Sequence, residues 1–287
     1  MSVHEGVFTM TRMCRMLGVS ASGYYAWRGR TPGRRVQANA ALVEQIRDVH
    51  QVSRRTYGSP RVYAALRQRG VVCSRNRVAR LMRHEGLAGR SPHRRYPHTT
   101  QAAPGNPVAP NVLAQNFTAQ RPNQKWVADI TYVDTAEGWL YLAPVLDLFS
   151  RKVVGWSMGS HLYSSLVEDA LHMAVTRRRP APGLLHHSDR GSQYTSAAYQ
   201  QMLTNLQCQV SMSRTGNCYD NAVMESFFST LKSECLTGQF QTRAQARTAI
   251  FEFIEIWYNQ HRLHSSLGYL SPVEFERSLT SDISTVH

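Results

Sequence analysis

Along the 287 residues the apolar positions change their period twice. In the first 90 they recur at helical spacing: Leu42, Val43, Ile46 and Val49 within 38–51, a run over 60–69, and Val78, Leu81 and Met82 within 75–85. Ser59-Pro60 and Ser74 supply helix starts and Gly86 a stop. Residues 10–27 read as a short helix, a Leu-Gly-Val turn and a second helix, because Gly18 permits the turn and Ser20 caps the second helix. Between 91 and 122 the period vanishes. Six prolines (92, 97, 104, 107, 110 and 122) mark that stretch as a linker.

From 125 onward the pattern predicts strands at 125–134, 139–149 and 152–159, rich in Val, Leu, Trp and Tyr and separated by short turns, hence an antiparallel meander. A helix (164–178), a strand (184–188), a helix (196–206), a strand (208–213) and two helices (221–236, 242–260) come next. This order predicts an α/β, ribonuclease H-like core, a mixed five-stranded sheet with flanking helices, preceded by small helical helix-turn-helix-type segments. The implied division is a helical region 1–90, a linker 91–122, a core 123–277 and a tail 278–287. Pro144 inside the second strand argues against a central position and predicts a bulge or an edge.

Composition adds a partner. Net charge is +14, and residues 1–120 carry 19 arginines against 4 acidic residues, whereas 121–287 carry 14 basic against 15 acidic residues. A basic module on a near-neutral core suits an enzyme that holds a polyanion while acting on it. In the helix 75–85, Arg75, Arg77, Arg80 and Arg83 crowd the surface left by the apolar face and are expected to meet DNA phosphates; the competing reading is a solvated arginine-rich surface. No apolar stretch approaches the roughly 20 residues that span a bilayer, and the first ten residues lack a signal-peptide pattern, so a cytosolic, nucleoid-associated protein is expected. Five scattered cysteines (14, 73, 208, 218 and 235) indicate neither a disulfide framework nor a zinc site.

The candidate chemistry lies in three acids. Asp129 interrupts the apolar run 126–133 on the strand face shared with Val127 and Thr131, where Asp is disfavoured. Asp189 ends a strand, and 35 residues separate it from Glu225. On the Glu225 helix, Asn221, Glu225, Ser229 and Lys232 fall on one polar flank beside a stripe of Val223, Met224, Phe227, Phe228 and Leu231. Three carboxylates brought together resist joint ionisation unless a cation lies among them, and oxygen-only ligands select Mg²⁺ or Mn²⁺. Two such ions, roughly 3.5–4 Å apart, would serve an in-line phosphoryl displacement, with Lys232 and Asn221 as neighbouring DNA contacts. Competing acids are Asp134, Asp147, Asp169, Asp220 and Glu234. Asp147 and Asp169 are expected in surface or turn contacts, and Asp220 as the cap of the Glu225 helix. His186 and His187 are read as positioning residues.

Several ordered motifs carry a resemblance: Gly-Val-Ser-Ala-Ser-Gly-Tyr-Tyr-Ala-Trp (18–27), Tyr-Gly-Ser-Pro-Arg (57–61), Trp-Val-Ala-Asp-Ile-Thr-Tyr (126–132), Leu-Asp-Leu-Phe-Ser-Arg-Lys-Val-Val-Gly-Trp (146–156), His-Ser-Asp (187–189), Asp-Asn-Ala-Val-Met-Glu (220–225) and Tyr-Asn-Gln-His-Arg-Leu-His-Ser-Ser-Leu-Gly-Tyr-Leu-Ser-Pro (258–272). Over residues 10–277 the chain resembles the second-frame (OrfB) product of two-frame insertion-sequence transposases, relatives of retroviral integrases. The resemblance implies a DDE site of Asp129, Asp189 and Glu225 with Lys232 as the basic residue after the glutamate. It implies cleavage at the element's 3′ end followed by strand transfer, with no covalent enzyme–DNA intermediate. It also implies a homo-oligomer on DNA and a first-frame (OrfA) partner or fusion for end recognition and dimerisation, since the chain has no heptad coiled coil and only a partial helix-turn-helix. The integrases' His/Cys zinc domain is absent from the sequence. A nuclease that only hydrolyses, and a DNA-binding regulator with an inactive core, are the alternatives.

Overall fold

The computed structural model describes residues 4, 6–31, 33–91, 108–214 and 217–284. Five helices come first: α1 (Met10–Met16), α2 (Ala21–Arg28), α3 (Arg34–Val52), α4 (Ser59–Gln68) and α5 (Arg75–His84). Two of the three expected serine caps form; α4 instead begins at Ser59 itself, with Gly58 as its N-cap, no side-chain cap bond and Pro60 in its first turn. Ser20 Oγ accepts from the Gly23 N–H at 3.0 Å and Ser74 Oγ from the Arg77 N–H at 3.3 Å, while Gly18 takes φ +65° in the turn between α1 and α2. Ile46, Val62, Leu66 and Val78 lock α3, α4 and α5 together with no surface exposed.

The strands are β1 (Lys125–Ala128), β2 (Thr131–Val133), β3 (Leu140–Asp147), β4 (Val153–Gly159), β5 (Leu185–Ser188) and β6 (Gln209–Met212). β1 and β2 pair with β3 in one continuing register, Ala128↔Val145 and Thr131↔Leu142, so they are two halves of one strand position. β4 pairs antiparallel with β3, β5 lies parallel to β1, and β6 parallel to β5. The expected five positions are therefore present, but the run 125–134 breaks at Asp129-Ile130. Continuing either register puts Asp129 opposite Pro144, which has no N–H to give a ladder. Pro144 itself sits in a strand paired on both sides, so the edge expectation is overturned; the irregularity falls next to it, between Val145 and Leu146.

Strand alternation divides the core. Trp126, Ala128, Val145 and Val154 pack under α6 (Ser164–Arg178) and α7 (Ala197–Asn205). Val127, Leu142 and Leu146 pack under α8 (Ala222–Glu234) and α9 (Arg243–Phe251), in a cluster that also takes in α3 to α5. Gly155 is required on β4, because a Cβ there would lie 2.3 Å from the Ala170 carbonyl oxygen of α6. The helix expected over 242–260 instead passes into a π-helical segment, Glu252–Tyr258, whose Phe253, Ile254, Trp257 and Tyr258 are all buried.

Three other expectations change. The tail from 278 begins as helix, because α10 (Pro272–Ser284) starts on a reciprocal cap: Ser271 Oγ accepts from the Glu274 N–H at 3.3 Å, and Glu274 Oε2 from the Ser271 N–H at 2.9 Å. The end of the expected linker is docked, with Leu113 buried and the N–H groups of Val112 and Leu113 donating to Ser211 Oγ on β6 at 2.9 and 3.0 Å; residues 92–107 lie outside the described residues. Asp147 is fully buried, not at the surface. It accepts from the N–H groups of Phe149 and Asn123 at 3.0 and 2.8 Å and from Arg178 at 3.3 Å, and Arg178 also binds Glu276.

Candidate active site

β1 and β5 run parallel with Trp126↔His186 and Val127↔His187 in register. Two residues further on, just past the ends of both strands, that register sets Asp129 beside Asp189. Both acids leave the sheet at the same end. Asp129 shares the Val127 face, which is covered by α8, and Asn221 at the head of α8 reaches it: Asn221 Nδ2 donates to Asp129 Oδ2 at 3.1 Å and to the Ala128 carbonyl at 3.4 Å. The Ile130 N–H donates to Asp129 Oδ1 at 2.8 Å, and the Gly191 N–H to Asp189 Oδ1 at 3.0 Å. Glu225 comes one turn after Asn221 and is exposed.

The charges act on one another. Burial first, then Asp189, with Glu225 adding, push the Asp129 carboxyl well above the usual carboxylate range, against the pull of the Ile130 N–H and Asn221. Burial lowers the Lys232 ammonium while Asp129 holds it up, and its Nζ stands 5.3 Å from the centre of the Tyr132 ring. Among the described residues, no three His, Cys, Asp or Glu side chains are gathered tightly enough to hold a metal ion as they stand. Like charges do not close up unaided. The donor set nevertheless suits a hard cation: the carboxylates of Asp189 and Glu225 both act on that of Asp129, and the Asn221 Oδ1 is buried without a hydrogen-bond partner.

Tyr194, which closes the Asp189 segment His-His-Ser-Asp-Arg-Gly-Ser-Gln-Tyr (186–194) but carries no role in the sequence reading, belongs to this neighbourhood. Its hydroxyl is buried without a hydrogen-bond partner, and burial, Tyr199, Asp129 and Asp189 in that order raise its pKa. The only signal in the sequence is its place five residues after Asp189. Asp220 does not cap α8. It is buried in the turn before it, held well below the usual carboxylate range by Arg214 (3.0 Å), and bound to Gln115 at 2.9 Å. His187 bridges Ser211 and Ser213 at 2.8 and 3.1 Å and His186 meets the Tyr199 hydroxyl at 3.0 Å. Burial brings the His187 imidazole down to about 4 and that of His186 to about 3. They brace β5 from within. Arg75, Arg80 and Arg83 are exposed on α5, whereas Arg77 is half-buried and donates to Asn39 at 2.9 Å. Asp134 and Asp169 are exposed, and Glu234 is buried against Arg262.

A mixed sheet in this order, with acids leaving adjacent parallel strands and a helix over them, defines an integrase-type catalytic core of the ribonuclease H-like class. Residues 119–218 and 206–272 match family models described as integrase core domain, and residues 37–95 match an HTH-like domain. The chain is 43% identical over 276 residues to transposase InsF for insertion sequence IS3A of Escherichia coli (strain K12), covering 95% of this chain and 96% of that protein. It is 45% identical over 264 residues to the insertion element IS600 uncharacterized 31 kDa protein of Shigella sonnei, covering 92% and 97%. The chain belongs to this family of insertion-sequence transposases, which are DNA-acting enzymes of the DDE class. Similar solved structures include the simian T-cell lymphotropic virus intasome in complex with PP2A regulatory subunit B56 gamma, at 16% identity and TM-score 0.47 over 80% of this chain and 73% of that one. The HTLV-2 integrase catalytic core domain in complex with magnesium is 17% identical, with TM-score 0.42 over 55% and 99%. Among the described residues no helix is long and apolar enough to cross a membrane.

Proposed function

We propose that Asp129, Asp189 and Glu225 are the catalytic and metal-holding set of this transposase, and that they serve both 3′-end cleavage and strand transfer. The observation that carries this reading is the parallel register that sets Asp129 beside Asp189, with Asn221 fixing Asp129 to the start of the Glu225 helix. A pair of Mg²⁺ or Mn²⁺ ions, when bound, supplies charge neutralisation at the attacking and leaving oxygens. Asp129 and Asp189 are anchored by backbone N–H groups, so Glu225, exposed on its helix, is the acid that moves to complete the set. Asn221 holds Asp129 in place, and Lys232 grips a DNA phosphate beside the reacting one.

In the first step water forms a new P–O bond at the element's 3′ end and the 3′ oxygen leaves. In the second, that 3′-hydroxyl attacks a target phosphodiester and displaces its 3′ oxygen. Arg75, Arg77, Arg80 and Arg83, in a basic helical region 1–90, hold DNA for the core of 123–277, and a first-frame product and further copies of the chain complete the assembly. The test is Glu225→Gln assayed with labelled element ends and target DNA. The variant is expected to bind DNA as the wild type does while Mg²⁺-dependent cleavage and joining disappear. Undiminished joining would remove Glu225 from the site.

A further inference from the structure

Two of the sequence motifs, 57–61 and 258–272, take no part in the carboxylate site, yet they meet each other on the far flank of α8. Arg61 Nε donates to the Leu263 carbonyl at 2.9 Å, and the Leu263 N–H donates to the Tyr57 hydroxyl at 2.7 Å. Beside this contact lies a cavity of about 270 Å³ lined by Arg61, Arg151, Arg262, His264, Ser265 and Ser266, with Thr230 of α8 on its wall. Among the described residues it is lined by no carboxylate. Arg262 is neutralised by Glu234, which it grips at 2.7 and 3.0 Å. Arg61 and Arg151 have no such partner in the cavity: Arg61 binds a carbonyl, and the acid nearest in charge to Arg151, Asp147, is already bound to Arg178.

Guanidinium groups stay charged. Glu234 and Asp147 act on Arg61 and Arg151, respectively, only from outside the cavity, and Arg151 Nη2 is held by the Phe117 carbonyl at 3.4 Å. Two cations with no carboxylate in contact in a half-buried space are therefore costly unless an anion joins them. The polar groups left over point the same way. Arg151 Nη1 and His264 Nε2 are both buried without a hydrogen-bond partner, and His264 is only 8% exposed. Burial, then Arg262, Arg61 and Arg151, keep His264 neutral, so it can donate one N–H without adding charge. Forked guanidinium donors, a neutral imidazole and two serine hydroxyls match the acceptor oxygens of a phosphate group.

We propose that this cavity is a phosphate-binding site and that its occupant is a backbone phosphodiester of the bound DNA, seated between the helical region and the core. The DNA source rests on the transposase reading. An α-helix is about 10–12 Å across and a duplex strand advances about 3.4 Å along the helix axis per phosphate, so a strand reacting at the acids reaches this cavity within a few nucleotides.

The experiment uses the full chain as wild type, Arg61→Gln, Arg151→Gln and, as a surface control, Arg179→Gln at the exposed end of α6. Thermal melting is followed against inorganic phosphate with ionic strength held constant by chloride, and duplex-DNA affinity against salt. The expected results are a saturable rise in Tm with phosphate for the wild type and Arg179→Gln, lost in both cavity variants, and a DNA slope shallower by about 0.9 in the cavity variants alone. Charge-retaining Arg61→Lys should recover most of the slope, which a folding defect would not allow. A phosphate response equal in all variants, or absent from the wild type, overturns the site. A phosphate response with an unchanged DNA slope overturns the DNA occupant in favour of free phosphate. If the wild type binds no duplex, the DNA occupant fails for this chain, and the phosphate arm alone decides the cavity.

Discussion

One flank of α8 gathers acids and the other gathers arginines, and burial treats the two groups differently. On the acid flank the charge is relieved by a shift in protonation, with Asp129 raised well above the usual range by burial and by Asp189. On the arginine flank protonation offers no relief, because a guanidinium does not give up its proton in a protein, and the strain passes to His264, which is driven neutral. On the proposed reading the first flank receives a cation and the second an anion. A third cluster shows what a balanced arrangement looks like: Arg178 is met by Asp147 and Glu276, with Lys152 and Ser150 on the same glutamate.

The comparison breaks most directly in activity. Asp189→Asn should lower Mg²⁺-dependent cleavage by about 10³-fold or more, as expected when several kcal/mol of charge stabilisation are lost, with duplex affinity unchanged. Arg151→Gln should instead lower activity through DNA affinity, with cleavage recovering at saturating DNA. Single-turnover rates measured across DNA concentration separate the two, and the same pattern in both variants would erase the distinction between the flanks. The balanced cluster gives the next largest effect. Asp147→Ala should cost about 1–3 kcal/mol by leaving the N–H groups of Phe149 and Asn123 without their acceptor while Arg178 keeps Glu276, read by denaturant unfolding.

Protonation sharpens the contrast further. The folded-state pKa of Asp129 lies above its unfolded value near 3.9, so the folded state holds the extra proton. Its favourable contribution is present at low pH and is lost as pH rises through the folded pKa. Without divalent metal, Asp129→Asn should therefore melt higher than the wild type at pH 8, by roughly 2–4 °C per 1 kcal/mol, and the gap should narrow toward pH 4. Added Mg²⁺ should raise the wild type and leave the variant still. A gap that does not depend on pH would count against the raised carboxyl. The smallest effects belong to α5: Arg75→Ala, Arg80→Ala and Arg83→Ala should each flatten the DNA salt slope by about 0.9 with melting temperature unchanged.

Much of the core was legible because its elements follow their periods closely; α6, expected over 164–178, occupies those residues. The break at Asp129 was not, since it depends on the proline that β3 sets opposite it across the sheet. Asp147 looked like a turn acid because Arg178 and Glu276, its partners in burial, lie 31 and 129 residues away in sequence. Helix α10 was missed although Ser271-Pro272-Val273-Glu274 carries a capping signature. The three acids could be singled out by residue type and position, but the arginine cavity could not. Its walls come from α4, α8, the β3–β4 turn and the segment after the π-helix, which only the fold brings together.

The central claim is that Asp129, Asp189 and Glu225 act together on one divalent-metal site. Mn²⁺ binding to the full chain on element-end DNA, followed by electron paramagnetic resonance, tests it in the wild type, Asp129→Asn, Asp189→Asn and Glu225→Gln. Saturable binding in the wild type that is weakened at least about tenfold by each substitution is the predicted result. Wild-type binding retained in any one of the three would contradict it.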